Sequence, residues 1–191
     1  MNPWRRTAEA LLAGGVDALQ LREKHLTDSE LLRRARLLRQ MTTEADALFI
    51  VNDRPDIAVL SGADGVHLGQ DDLPARAARR IVGPDLVVGL STHTVQQAED
   101  AVEAGADYIG VGPVAATETR GYAEGKGIEL VRRVCSRARL PAVAIGGITE
   151  QNARAALNAG ASGVALCSAL CGAQYPELAA RRLRAAISRS G

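Results

Sequence analysis

The chain has little to stack with and little to cross-link. Of its 191 residues only one Trp, three Tyr and one Phe are aromatic, too few rings for a platform that stacks single-stranded nucleic acid. Cys135, Cys167 and Cys171 are odd in number and include no CxxC spacing, so neither a disulfide framework nor a zinc site is favoured. An excess of one charge is also missing. The 23 Lys and Arg against 22 Asp and Glu leave a net charge of +1, which offers no basic groove for nucleic acid and no polybasic membrane patch. No apolar run reaches the ~18 residues of a membrane-spanning helix, and the N-terminus lacks the charged-then-apolar order of a signal peptide. A cytoplasmic location is the expectation. What remains is 47% apolar and 24% charged, a globular composition. No linker, charge run or low-complexity segment divides residues 1–191, so one domain is expected.

Short β-branched or apolar runs alternate with longer Ala/Leu/Arg-rich stretches. Strands are predicted near 17–22, 47–52, 65–69, 86–91, 107–112, 141–146 and 163–167. Helices are predicted near 4–13, 28–45, 54–61, 74–82, 94–104, 127–138, 150–159 and 175–188. Strict alternation means parallel strands with right-handed crossovers, hence an α/β fold. "AGGVDALQLR", "LSGADGVHLG", "VEAGADYIGVG" and "LNAGASGVAL" repeat one logic: a helix ends, a Gly takes a left-handed cap, a small residue and usually an Asp follow, and a strand begins. Such a repeat at every second strand points to a (β/α)8 TIM barrel, with a doubly wound open sheet as the alternative. Yet the chain opens on a helix, so the first of eight strands is lacking. The strands flanking that gap are expected to draw together, or the gap to be plugged.

In such barrels the site lies at the C-terminal ends of the strands. There the sequence places Gln20, Arg22 and Lys24, then Asn52 and Asp53, then "GQDD" with Asp72, then Ser91 and His93. Fixed cations beside two carboxylates suit a polyphosphate with a hard cation such as Mg²⁺, which takes one or two carboxylates plus phosphate oxygens. Plain salt bridges between Arg22 or Lys24 and Asp53 or Asp72 are the competing reading. "IGGI" at 145–148 and "CSAL" at 167–170 are small-residue strand ends of the kind that cradle phosphate with backbone N–H groups. Two anion sites side by side suggest a transferase. No nucleophile–base pair is visible. Cys167 reads as a small buried filler, His67 as a core or barrel-lining histidine, and His93 as either a site residue or a loop-orienting one. "LLRRARLLR" reads as a solvated helix face.

"QLREK", "ND", "GQDD" with its second Asp nineteen residues after Asp53, "STHT", "T-x-T", "IGGI" and a closing Ser, in that order, resemble the thiamine phosphate synthase family over roughly residues 8–188. The resemblance implies that a hydroxymethylpyrimidine pyrophosphate and a thiazole phosphate are joined, pyrophosphate leaving first from a pyrimidine-stabilised cation. It implies that Gln20, Leu21, Arg22, Glu23, Lys24, Asn52 and Ser91 hold the pyrimidine pyrophosphate. Asp53 and Asp72 would bind Mg²⁺. Thr117, Glu118, Thr119, Arg120, Gly147, Cys167 and Ser168 would hold the thiazole phosphate, and Arg22, Lys24, Ser91 and Arg120 would act in catalysis. Arg120 stands where the family usually has Lys, and Ala115 and Ala116 stand where bulkier residues and a proline are usual. The alternatives are a thiazole tautomerase-like isomerase and a phosphate-binding barrel without turnover. Partners are expected to be the two small-molecule substrates, with no nucleic acid and no membrane; self-association stays open.

Overall fold

Strand and helix alternate throughout residues 3–117 and 123–188, the residues that the computed structural model describes. In chain order the elements are α1 (Pro3–Ala13), β1 (Ala18–Leu21), α2 (Asp28–Glu44), β2 (Leu48–Asn52), α3 (Pro55–Ser61), β3 (Gly65–Leu68), α4 (Ala75–Val82) and β4 (Val87–Thr92). They continue with α5 (Val95–Glu103), β5 (Tyr108–Val111), α6 (Gly127–Cys135), β6 (Ala142–Ala144), α7 (Glu150–Asn158), β7 (Gly163–Val164), α8 (Ser168–Cys171) and α9 (Pro176–Ser188). Helix starts carry their own caps. The Thr27 hydroxyl accepts the Glu30 N–H at the head of α2, and Thr94 does the same for Gln97 at the head of α5. Thr149 and Asn152 form a capping box on α7. Among the described residues no helix is long and apolar enough to cross a membrane.

All seven strands run parallel in one curled sheet in the order β1-β2-β3-β4-β5-β6-β7. Every strand thus lies beside its sequence neighbour. A doubly wound sheet would reverse its strand order part-way, and this one does not. A closed eight-stranded barrel is not what is seen. Among the described residues β1 and β7 do not pair with each other, so the expected closing of the gap does not occur. Ala18 and Gln20 of β1 are exposed, while Leu19 between them packs against the core that holds Leu11 of α1 and Leu183 of α9. The helix layer does come together there: α1 packs on both α2 and α9, and Arg184 of α9 donates to Asp17 at 2.7 Å.

The repeat now has a physical meaning. Gly15, Gly62, Gly105 and Gly160 all have positive φ, from 68° to 103°, as the helix-ending turns require. The Asp that follows works at the foot of the sheet. Asp64 Oδ2 accepts the Phe49 N–H at 2.7 Å and pairs with Arg39 of α2. Asp107 Oδ2 accepts the Val88 N–H at 2.7 Å and pairs with Arg79 of α4. Asp17 pairs with Arg184. Three of the four units, those with the Asp, therefore fasten a helix to the foot of the sheet, and two of them also hold the start of a neighbouring strand; the fourth has Ser162 in that place.

Alternation along the strands sends Phe49, Val51, Val66, Leu68 and Val88 into a helix-facing core with Ile57, Leu38 and Met41. Ile109, Val111, Val131 and Val134 form a second, alanine-rich core under β5 to β7. The other face of the strands is the concave one. The predicted strand at 163–167 shortens to two residues, since β7 has a ladder partner on one side only. The strand at 141–146 stops at Ala144 because Gly146 and Gly147 turn away with φ of 79° and 66°. The short α8 is an element that the pattern did not reveal.

Candidate active site

The first half of the strand-end rim is made of charged side chains. Arg22 and Lys24 follow β1 and are exposed. Lys24 Nζ donates to Asp53 Oδ2, so the salt-bridge reading holds for this pair. Glu23 turns to α2, where Arg34 donates to it at 3.1 Å. The Leu21 side chain is buried in the helix-facing core, which leaves only its backbone for the rim. Gln20 is exposed and Asn52 buried. Asp53 has a left-handed backbone, φ 62°, held by its N–H donating to the His67 carbonyl at 2.9 Å. Non-glycine residues sit there at a cost, and such positions cluster at working sites. Arg54 braces the same turn by donating to both oxygens of Asp56 and to Asp28 at 2.6 Å. These carboxylates push its pKa up.

Asp72 reaches this rim from the loop after β3, its Oδ2 accepting the Gly69 N–H at 2.7 Å. Burial, and then the neighbouring Asp53, push its carboxyl above the usual aspartate range, while Lys24 pulls the other way. Two carboxylates and one ammonium therefore converge where the sequence placed them. Among the described residues there is no cluster of three or more His, Cys, Asp or Glu that could hold a metal by itself. Two carboxylates forced together fit a hard cation that completes its shell with phosphate oxygens and water.

Sequence reasoning missed the centre of the concave face. Register sets Asn52 beside His67, His67 beside Gly89, and Gly89 beside Tyr108. His67 Nδ1 lies 2.9 Å from Tyr108 Oη, and its Nε2 lies 2.9 Å from Ser91 Oγ. The fold thus makes the Ser–His pair that the linear sequence did not show. Ser91 is wholly buried, so the pair holds Ser91 rather than presenting it as an open nucleophile. Its carbonyl accepts from Gln70 Nε2 at 2.6 Å. Burial pushes the Tyr108 phenol above its usual range, so it keeps its proton. The missed signal lay in two glycines inside strands, which often mark close approach by another group. A Cβ on Gly89 would stand 2.1 Å from the Tyr108 ring, and one on Gly110 would stand 3.1 Å from the His67 imidazole.

The second half of the rim is backbone. A Cβ on Gly147 would meet Ala115 Cβ at 2.7 Å, and one on Gly146 would meet Pro113 at 2.8 Å. The turn is tied to α7 by Asn152 Nδ2 donating to the Gly147 carbonyl at 2.9 Å. Thr117 packs beside Gly146. β6 and β7 are neighbours, so this turn and the Cys167–Ser168 segment lie at adjacent strand ends. Cys167 is exposed, which corrects its reading as a buried filler: among the described residues no strand beyond β7 covers it. His93 is the loop-orienting residue of the two readings, with Nδ1 2.7 Å from the Gly112 carbonyl and its own carbonyl accepting from Lys126 at 2.9 Å. Glu118, Thr119 and Arg120 lie outside the described residues.

A family model described as thiamine monophosphate synthase matches residues 3–170. The chain belongs to that family. A relative named thiamine-phosphate synthase, from Moorella thermoacetica, is 45% identical over 190 residues, covering 99% of this chain and 90% of its own length. One of the same name from Methanoculleus marisnigri is 46% identical over 95% of this chain and 86% of its own. A solved thiamine phosphate pyrophosphorylase from Pyrococcus furiosus superposes with a TM-score of 0.90 at 39% identity, over 95% of this chain and 88% of that one. With this coverage the chain is a transferase of the thiamine phosphate synthase type, and small-molecule substrates follow.

Proposed function

We propose that the strand-end rim joins a hydroxymethylpyrimidine pyrophosphate to a thiazole phosphate in a dissociative substitution. The carbon–oxygen bond to pyrophosphate breaks first, leaving a cation stabilised by the pyrimidine, and the thiazole nitrogen then forms the new carbon–nitrogen bond. The observation that carries this reading is the convergence of Lys24, Asp53 and Asp72, with the exposed Arg22 two residues before Lys24. Such a group serves a leaving group that gains negative charge. An isomerase would need no cation paired with two carboxylates for a departing polyphosphate.

Arg22 and Lys24 are the protein's own cations for the departing pyrophosphate, and a fixed charge aimed where charge develops lowers the barrier most. Gln20, Asn52 and Ser91 orient the pyrimidine end, with Ser91 held by His67. Asp53 and Asp72 would hold Mg²⁺, which supplies further neutralisation of the polyphosphate when bound. Thr117, Thr119, Gly147, Cys167 and Ser168 take the thiazole phosphate, with Arg120 supplying charge. Holding both substrates in contact supplies the remaining rate, since positioning converts a bimolecular step into a local one. The architecture behind this rim is read as an eightfold barrel short of one strand.

Pyrophosphate release tests the reading. Release that requires both substrates and Mg²⁺, and stops with EDTA, is the expected result. Folded protein that releases none, or releases it equally well in EDTA, would overturn it.

A further inference from the structure

Two thiols sit on one turn at the edge of the backbone half of the rim. Cys167 caps α8 and Cys171 ends it. The Cys171 N–H donates to the Cys167 carbonyl at 2.8 Å, which closes a single i to i+4 turn. Four residues of helical rise put the two Cα atoms roughly 6 Å apart, within the roughly 4.4–6.8 Å that a disulfide spans. Both residues are exposed. Their side chains are hydrogen-bonded to each other, and this bond above all pushes the Cys171 thiol up. Cys171 therefore keeps its proton against Cys167. The third cysteine, Cys135, stands on α6 and is half-buried, its thiol pushed up by burial. Ser168, between the paired thiols, belongs to the segment read as holding the thiazole phosphate.

We infer that Cys167 and Cys171 form a peroxide-sensitive dithiol whose oxidation shuts the thiazole phosphate half of the rim. Cys167, as thiolate, attacks one oxygen of hydrogen peroxide; the O–O bond breaks, hydroxide leaves, and Cys167 becomes a sulfenic acid. Cys171 sulfur then attacks the Cys167 sulfur. The S–O bond breaks, and the departing oxygen leaves as water with the Cys171 proton. Two thiols and one peroxide yield one disulfide and two waters, each sulfur giving up one electron and the peroxide taking two. The S–S bond draws the sulfurs to roughly 2 Å, which pulls the Cys167 end of the loop out of the shape that aims Ser168 and its amide at a ligand. Reduction by a dithiol such as dithiothreitol reverses it.

The effect on turnover rests on the proposed synthase activity, whereas the disulfide does not. The test therefore reads both on the full chain, before and after hydrogen peroxide. Intact mass should fall by two hydrogens, free thiols should fall from three to one, and peptide mapping should place the bond between Cys167 and Cys171. The KM for thiazole phosphate should rise about tenfold or more, the scale of a lost hydrogen bond to a charged group, with the KM for the pyrimidine substrate unmoved. Dithiothreitol should restore it. Cys171→Ser should show ordinary turnover and neither the mass loss nor the KM change. Oxygen addition without thiol pairing, a bond between two chains, or an intramolecular disulfide with unchanged KM would each overturn the inference. Untreated protein without turnover would sink the synthase reading instead, and the mass and thiol count would still decide whether the pair closes.

Discussion

The rim from β1 to β3 and the rim from β6 to β7 solve the same problem, gripping an anion, with different parts of the chain. The first uses side chains: Lys24, Asp53 and Asp72 reach over a turn braced by Arg54, and the strands behind them are packed by large residues such as Phe49 and Leu68. The second uses the main chain: Gly146 and Gly147 bend with positive φ against Pro113 and Ala115, over a core in which alanines predominate. In the first, chemistry hangs on groups that can be changed while the fold stands. In the second, the atoms that would meet the ligand are the atoms that make the turn, so chemistry and stability cannot be separated.

Asp72→Asn is the sharpest way to test that separation, with the largest effect. Turnover should fall about 100-fold or more, as when one charge-stabilising group is lost, while stability at neutral pH should not fall. The sign follows from the raised carboxyl of Asp72. A group whose pKa is raised on folding contributes stability at low pH and loses it as pH rises through the folded value. Asn cannot ionise and so avoids that loss. The variant's advantage in urea unfolding should shrink below the ordinary aspartate pKa of about 3.9. A large drop in unfolding midpoint at pH 7 would break the comparison.

Gly147→Ala probes the other half. The added methyl meets Ala115 at 2.7 Å on a backbone with φ 66°. It should cost about 1–3 kcal/mol of stability and raise the KM for thiazole phosphate in the same variant. A change in KM with unaltered unfolding would show that the two halves are built alike after all.

Glu30→Gln, on α2 and joined to the charged half only through Arg34, which also donates to Glu23, should do least. Arg33 and Arg34 hold the Glu30 carboxyl at about 2, against its usual 4.5. A lowered pKa contributes stability above the unfolded value and loses it as pH falls through the folded one. The variant should therefore be slightly less stable than the parent at neutral pH and match it near pH 2, with turnover unchanged. Calorimetry across that range checks it; altered turnover would place α2 in the site.

Most of the charged half was legible in the linear sequence, because it depends on residue type at strand ends. Gln20, Lys24, Asp53 and Asp72 stand at the strand ends and following turns that alternation assigned, and the four repeat glycines take the left-handed turns expected of them. What escaped depends on neighbours across the sheet. The His67 bridge from Tyr108 to Ser91 needs the register of β3, β4 and β5, which no spacing along the chain displays. The exposure of Cys167 needs to know what lies beyond β7. Alternation says how strands face, and it is silent on where a sheet ends.

The order of the sheet also governs how the molecule comes apart. Since each strand's partner is its neighbour in sequence, nearly all pairing is local, and loop-closure entropy is incurred one strand and helix at a time. The clasp between α9 and the turn that follows α1 is different: Arg184 meets Asp17 across 167 residues of chain. Amide protons in β1 and β7, at the two unpaired edges, should therefore exchange with solvent soonest, and those of β4 last. When warming loosens the clasp, the sheet should fray inward from both edges like a fan, while its middle strands stay hydrogen-bonded.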